Sequence, residues 1–284
     1  MSSARVADEP ELRIHEMTSE SVSLRRLVLD LFEHIDLLPM LARQHFRGQF
    51  RAASLGLAWS VFQPIVQGLV LTIIFTRVVP IDAGVPYAAF AFTGTATWAF
   101  ISTSIVGGVS SIIDTSSLAT KVYFPRLLLP ATPASSAVPT YTISLLLAAL
   151  LSVGFGIRPA WTWLALPLVM FGTWLLVVSL SFVTALMNVY FRDVKHIVSS
   201  ATLVLFYITP VIYPVRIAPR SVRLVLELNP FTGVLQATRW AIFGSEVDVA
   251  LARPLLVSGL WTAVFAVTGL LAYRRFDRVA VDRL

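Results

Sequence analysis

Charge along this chain falls in short clusters separated by long neutral stretches. Between consecutive acidic or basic residues lie six such stretches, at residues 52–76, 83–113, 127–157, 159–191, 197–215 and 254–273. Each is near or above the roughly 20 residues that a helix rising about 1.5 Å per residue needs to cross a hydrocarbon core of about 30 Å. A chain in lipid must satisfy its own amides, and a membrane barrel would alternate polarity in segments of about ten residues, so the pattern predicts helices. The expectation is an all-α membrane protein with six transmembrane helices.

The segments between the windows refine it. Arg43, Arg47 and Arg51 recur at i, i+4 and i+8, one face of a helix, while Leu41, Phe46 and Phe50 offer an apolar side, so residues 23–54 predict an amphipathic element lying in the membrane interface. Anionic headgroups favour each such cation by about 1 kcal/mol, which is sufficient for the stripe; a cytosolic partner or a lipid-linked phosphate is the alternative. Residues 216–244 are moderately apolar but carry Glu227, Asn229, Pro230, Gln236 and Arg239. A straight crossing there would bury a carboxylate and a guanidinium at about 2.5–3.5 kcal/mol each. Two short helices broken at Asn229-Pro230, dipping in from the outer side and returning, cost less. This predicts a re-entrant outer element over 216–246, between the fifth and sixth crossings, with Asn229, Pro230 and Arg239 as a candidate outer gate; an amphipathic hairpin without a gating role is the other reading. The plan is a polar tail at 1–22, the interface segment at 23–54, the transmembrane domain at 55–273 and a second tail at 274–284.

Polar and aromatic residues inside the windows mark a candidate path. Gln63 and Gln67 share one helical face of the first crossing, beside Trp59, Phe62 and Pro64; they serve either a helix–helix hydrogen bond or a polar strip along a conduit. Phe206, Tyr207 and Tyr213 belong to the fifth, which Pro210 and Pro214 should break. Each is also a packing residue in waiting.

Composition and charge sort the function classes. With 56% hydrophobic and 13% charged residues, against about 25% charged in ordinary soluble domains, the chain reads as membrane-embedded. Fifteen of its 22 basic residues fall before the first crossing, in the second-to-third and fourth-to-fifth connections, or in the C-terminal tail, which predicts both ends in the cytoplasm. The first twenty residues contain no apolar core of a signal peptide, so the first crossing should direct insertion. The cations flank apolar runs instead of forming one basic domain, which speaks against nucleic acid despite a pI near 10.1. No cysteine occurs, so neither disulfides nor thiolate metal sites arise. His15, His34, His45 and His196 lack HExxH spacing, and there is no GxSxG elbow and no Walker-type phosphate loop. No catalytic or metal site is expected, and scarce charge within the windows argues against ion coupling, so the driving force should come from another polypeptide.

Four stretches resemble one family in order. RGQFRAASLGLAWSVFQPIV (47–66) is similar to its Arg-rich RYRGSxLGxxWxxxxP pattern, KVYFPRLLLP (121–130) to its KxxFPRxxLP connection, NVYFRDVKHI (188–197) to its FRDV segment, and NPFTGVLQATRWAIFG (229–244) to its NPxTxxxxxxRxxxxG outer element. These belong to permease subunits of ABC transporters that export O-antigen, teichoic acid and related lipid-linked polysaccharides. Phe46 stands where the family favours Tyr. The resemblance implies a permease of the bacterial cytoplasmic membrane, paired with a second copy of itself around one path and driven by two copies of an ATPase chain that holds ATP and Mg, with no cofactor here. It implies a coupling segment at 113–127, with Tyr123, Phe124 and Pro125 as the apolar plug into the ATPase and Lys121 and Arg126 as its charged partners, and it makes Arg47 or Arg51 a receiver for the pyrophosphate of a lipid-linked glycan. A permease of this architecture exporting a drug or small lipid is the rival reading.

Overall fold

The computed structural model describes residues 29, 31–49, 56, 58–115, 126–244 and 251–276, with side chains for all of these but 126, 275 and 276. No strand occurs among them. In chain order the helices are α1 (Leu37–Gln49), α2 (Ala58–Ile73), α3 (Tyr87–Asp114), α4 (Ala131–Gly154), α5 (Leu166–Tyr190), α6 (Val194–Ile208), α7 (Arg220–Glu227), α8 (Pro230–Phe243) and α9 (Ala252–Phe276). α2 ends by widening into a π turn over Ile74–Val78, and a 3-10 turn, Trp161–Ala165, leads into α5.

Five stretches are long and apolar enough to cross a membrane: Ala58–Val78, Tyr87–Asp114, Ala131–Gly154, Trp161–Tyr190 and Ala252–Arg274. They answer to five of the six neutral windows. The window at 197–215 differs, because α6 has 15 residues, about 22 Å of rise against a core of about 30 Å. Proline chemistry explains the stop. Pro210 cannot offer an N–H to the Phe206 carbonyl, and Pro214 cannot offer one to Pro210, so the helix ends at Ile208 and the chain runs without helix through Thr209–Pro214.

α3 is the central post. It packs against α2, α4, α5, α6 and α8, and 67% of its most apolar window is buried, against 17% in the first span and 11% in the last. Its composition allows this: Ala89, Ala91, Gly94 and Ala96 present little bulk, so neighbouring backbones come close. α5 closes on α3 and α9, and α8 lies against α9, α5 and α3. α1 packs on α4 by burying Leu38 and Ala42 while Arg43 and Arg47 stay exposed.

Between residues 216 and 244 the chain folds as α7 and α8, two short helices meeting at Leu228–Asn229. The break is built from the sequence. The Asn229 side chain accepts the Phe231 N–H at 2.9 Å and so caps α8, and Pro230 at the first helical position needs no N–H partner.

Candidate functional site

Two constellations stand out. The first is a polar groove of about 680 Å³ between α2, α3 and α4. α2 contributes Trp59, Phe62, Gln63 and Gln67, so the four candidates on the first crossing come together on one lining. Trp59 and Phe62 meet edge to face, ring centres 5.6 Å apart, and both are half exposed. Across from them stands Tyr141 of α4, stacked on Phe100 of α3 at 4.4 Å and 11°. The remaining polar lining is Gln49 at the end of α1, Ser60, Thr103, Thr140 and Ser144.

Hydrogen bonding sets this groove apart from much of the bundle. In lipid a hydroxyl is commonly spent on its own helix, bonding the carbonyl one turn back. Thr93 does so to Ala89 and Thr97 to Thr93, each at 2.8 Å; Thr173, Ser179 and Ser181 do the same in α5. Among the described residues, the hydroxyls of Ser60, Thr103, Thr140 and Ser144 have no such partner, and neither do the amides of Gln49, Gln63 and Gln67. The groove therefore presents uncommitted donors and acceptors next to aromatic faces.

The fifth-crossing candidates sit elsewhere. Phe206 is buried against Trp98, with ring centres 6.2 Å apart, and Tyr207 is 67% exposed. Tyr213 folds its hydroxyl back onto the end of α6, donating to the Ile208 carbonyl at 3.0 Å and the Tyr207 carbonyl at 3.3 Å. None of the three lines the groove.

The second constellation is centred on Arg239 of α8. Its side chain is 2% exposed, and its guanidinium donates to the Pro210 carbonyl at 2.7 Å and the Val211 carbonyl at 2.6 Å while lying 3.6 Å from the centre of the Phe90 ring. Pro214 leaves the Pro210 carbonyl without a helical partner; Arg239 supplies one. Gly94 makes the approach possible, since a Cβ there would run into the Val211 carbonyl and lie 2.8 Å from Arg239 Nη2. Tyr87 donates to the Ile212 carbonyl at 2.6 Å, and Asn229 Nδ2 donates to the Thr209 hydroxyl at 2.9 Å. Asn229 and Arg239 thus both hold the unwound segment, whereas the Pro230 carbonyl accepts from Ser258 of α9 at 2.5 Å.

Two ion pairs fasten the same end. Glu227 meets Arg253 at 3.3 Å, joining α7 to α9, and Arg216 meets Asp82 at 2.9 Å, joining the turn after the unwound segment to the one before α3. The Gly84 N–H, then Arg216, holds the exposed Asp82 carboxyl below the usual carboxylate range.

Lys121, Tyr123, Phe124, Pro125 and Arg51 lie outside the described residues, as does the Arg126 side chain. Sequence reasoning missed Gln49, Thr103, Thr140, Tyr141 and Ser144 in the groove, because a groove is made by the register between helices. It missed Tyr87, Phe90 and Gly94 around Arg239 for the same reason, though the Pro210/Pro214 pair already marked where carbonyls would need donors.

Comparison with known proteins follows the same lines. Residues 37–243 match the ABC-2 type transporter family. The chain is 34% identical over 247 residues to the O-antigen export system permease protein RfbA of Myxococcus xanthus, covering 84% of this chain and 94% of that protein. It is 22% identical over 244 residues to an O-antigen export system permease protein RfbA of Klebsiella pneumoniae, covering 84% of this chain and 92% of the relative.

Proposed function

This chain belongs to the ABC-2 type transporter family, and from that premise we propose that it is the permease half of an exporter carrying a lipid-linked polysaccharide across the bacterial cytoplasmic membrane. ATP hydrolysis belongs to a separate ATPase subunit. The observation that carries the cargo assignment is the polar groove: aromatic rings for the C–H faces of sugars, with uncommitted amides and hydroxyls for their hydroxyl groups. The relatives, O-antigen export system permease proteins, support the same class.

In this reading α6 and the unwound Thr209–Pro214 segment together make the fifth of six crossings, α1 lies in the inner interface, and α7 and α8 re-enter from the outer side with Arg239 as the latch. Both ends face the cytoplasm. A second copy completes the path, Phe206, Tyr207 and Tyr213 belong to its fifth-crossing wall, and two ATPase copies dock on the coupling segment through Tyr123, Phe124 and Pro125 flanked by Lys121 and Arg126. An aromatic anchor in a pocket is the kind of contact that dominates such an interface.

The test is export. Depletion of the protein should leave lipid-linked glycan on the cytosolic face of the membrane, and Gln63→Leu with Gln67→Leu should lower export about tenfold, the loss of two hydrogen bonds, at unchanged protein abundance. Normal glycan export in that double variant would overturn the groove as the cargo path, and ATPase stimulation of the purified complex by small amphiphiles and not by lipid-linked glycans would overturn the cargo assignment in favour of a small molecule.

A further inference from the structure

Tyr141 is the one residue common to the polar groove and a second, larger cavity of about 1020 Å³ between α1, α4 and α5. The two differ in chemistry. α1 lines the second with Leu38, Ala42 and Phe46, at i, i+4 and i+8; α4 contributes Val138 and Pro139, and α5 contributes Met170, Phe171 and Trp174. Its serine and threonine hydroxyls already donate within the protein. Ser135 donates to the Ala131 carbonyl at 2.8 Å and accepts the Trp174 indole N–H at 3.1 Å, Ser136 donates to Pro133 at 2.8 Å, and Thr142 donates to Val138 at 2.9 Å. Between the helices a saccharide would find few groups to bond. The volume is at the upper end of the roughly 300–1,000 Å³ usual for ligand pockets, and the lining suits hydrocarbon.

Charge then selects among apolar occupants. Arg43 and Arg47, one helical turn apart, line the cavity from exposed positions on α1, no acidic residue joins the lining, and neither arginine meets a carboxylate among the described residues. Two guanidinia over an apolar slot fit a phosphodiester whose chain runs inward. We propose that this groove is a built site for a resident anionic phospholipid, its acyl chain between Phe46, Val138 and Trp174 and its phosphate held by Arg43 and Arg47. The site touches the polar groove only at Tyr141, and the inference rests on the membrane location alone, not on the cargo.

The experiment uses the full permease–ATPase complex, reconstituted in vesicles of equal phosphatidylglycerol and phosphatidylcholine, re-extracted in mild detergent, with retained lipid counted by native mass spectrometry. Wild type should keep phosphatidylglycerol in preference to phosphatidylcholine. Arg43→Gln with Arg47→Gln should cut that preference about 30-fold, the product of two interfacial cations. Ala42→Phe, which fills the slot without touching charge, should reduce retention of both lipids. Independently of any packing change, phosphatidylglycerol brominated along its acyl chain should quench the fluorescence component that Trp174→Phe removes. Equal retention of the two lipids, a preference unmoved by the arginine pair, or displacement of the lipid by a polyprenyl-pyrophosphate glycan would each overturn the proposal; the last would assign the groove to cargo. Glycan export is read separately, so a failed lipid assay and a failed cargo assignment are distinguishable.

Discussion

Arg239 and the pair Arg43 and Arg47 are the same residue type in opposite settings. Arg239 is enclosed, with two carbonyls and an aromatic face around its guanidinium. Arg43 and Arg47 stand on an exposed helix face beside an apolar slot. Burying a guanidinium is tolerable only when the protein replaces its water shell, and Arg239 does this with acceptors that a proline-broken helix leaves over. The exposed pair keeps its water until a ligand arrives. An arginine that satisfies the protein fixes architecture; one that the protein leaves unsatisfied is available for binding.

The largest effect should come from Arg239→Met. It leaves the Pro210 and Val211 carbonyls buried without donors and is expected to cost about 3 kcal/mol or more, read as a lowered midpoint in thermal unfolding of the purified complex. Gly94→Ala tests the same seat from the other side: its Cβ meets the Val211 carbonyl, so a loss of about 1–3 kcal/mol is expected by the same measurement. By contrast Arg43→Gln with Arg47→Gln should shift stability by no more than about 0.5 kcal/mol, as for surface positions. A loss comparable to that of Arg239→Met would collapse the distinction between the two settings.

The smallest effect belongs to a third setting, the exposed Arg216–Asp82 pair. Asp82 has a folded-state pKa below its ordinary value, so the unfolded chain binds its proton first as pH falls. The contribution is therefore present above the ordinary carboxylate range and disappears as pH drops through the depressed value. Asp82→Asn should lower stability slightly at neutral pH and leave the acid end unchanged, so that the acid side of the stability profile is flatter.

Much of the helical plan was legible in the sequence, because charge is too costly in hydrocarbon to be scattered: the five long spans coincide with neutral windows. The window at 197–215 was legible as neutral and, through Pro210 and Pro214, as broken; that the break leaves a helix of 15 residues is what the structure adds. Gln63 and Gln67 announced a polar face of α2 by spacing alone. What that face looks at, Tyr141 on Phe100 and the hydroxyls of Thr103 and Ser144, depends on how α3 and α4 are set against each other, and no local pattern records that. Arg239 was visible as a costly residue in an apolar stretch, yet its partners lie 28 and 29 positions away on a segment defined by its failure to be helical.

The threonines and serines that bond their own helix have one more implication. A side chain whose hydroxyl is folded onto the carbonyl of the preceding turn shows the helices packed around it mostly its carbon, so exchanging Val for Thr at buried positions of α3 or α5 should barely disturb the bundle. Along the lining of the groove the same exchange adds or removes an uncommitted bonding group, which on the proposed function would face the cargo. Selectivity can therefore drift by single-residue steps while the membrane scaffold stays fixed.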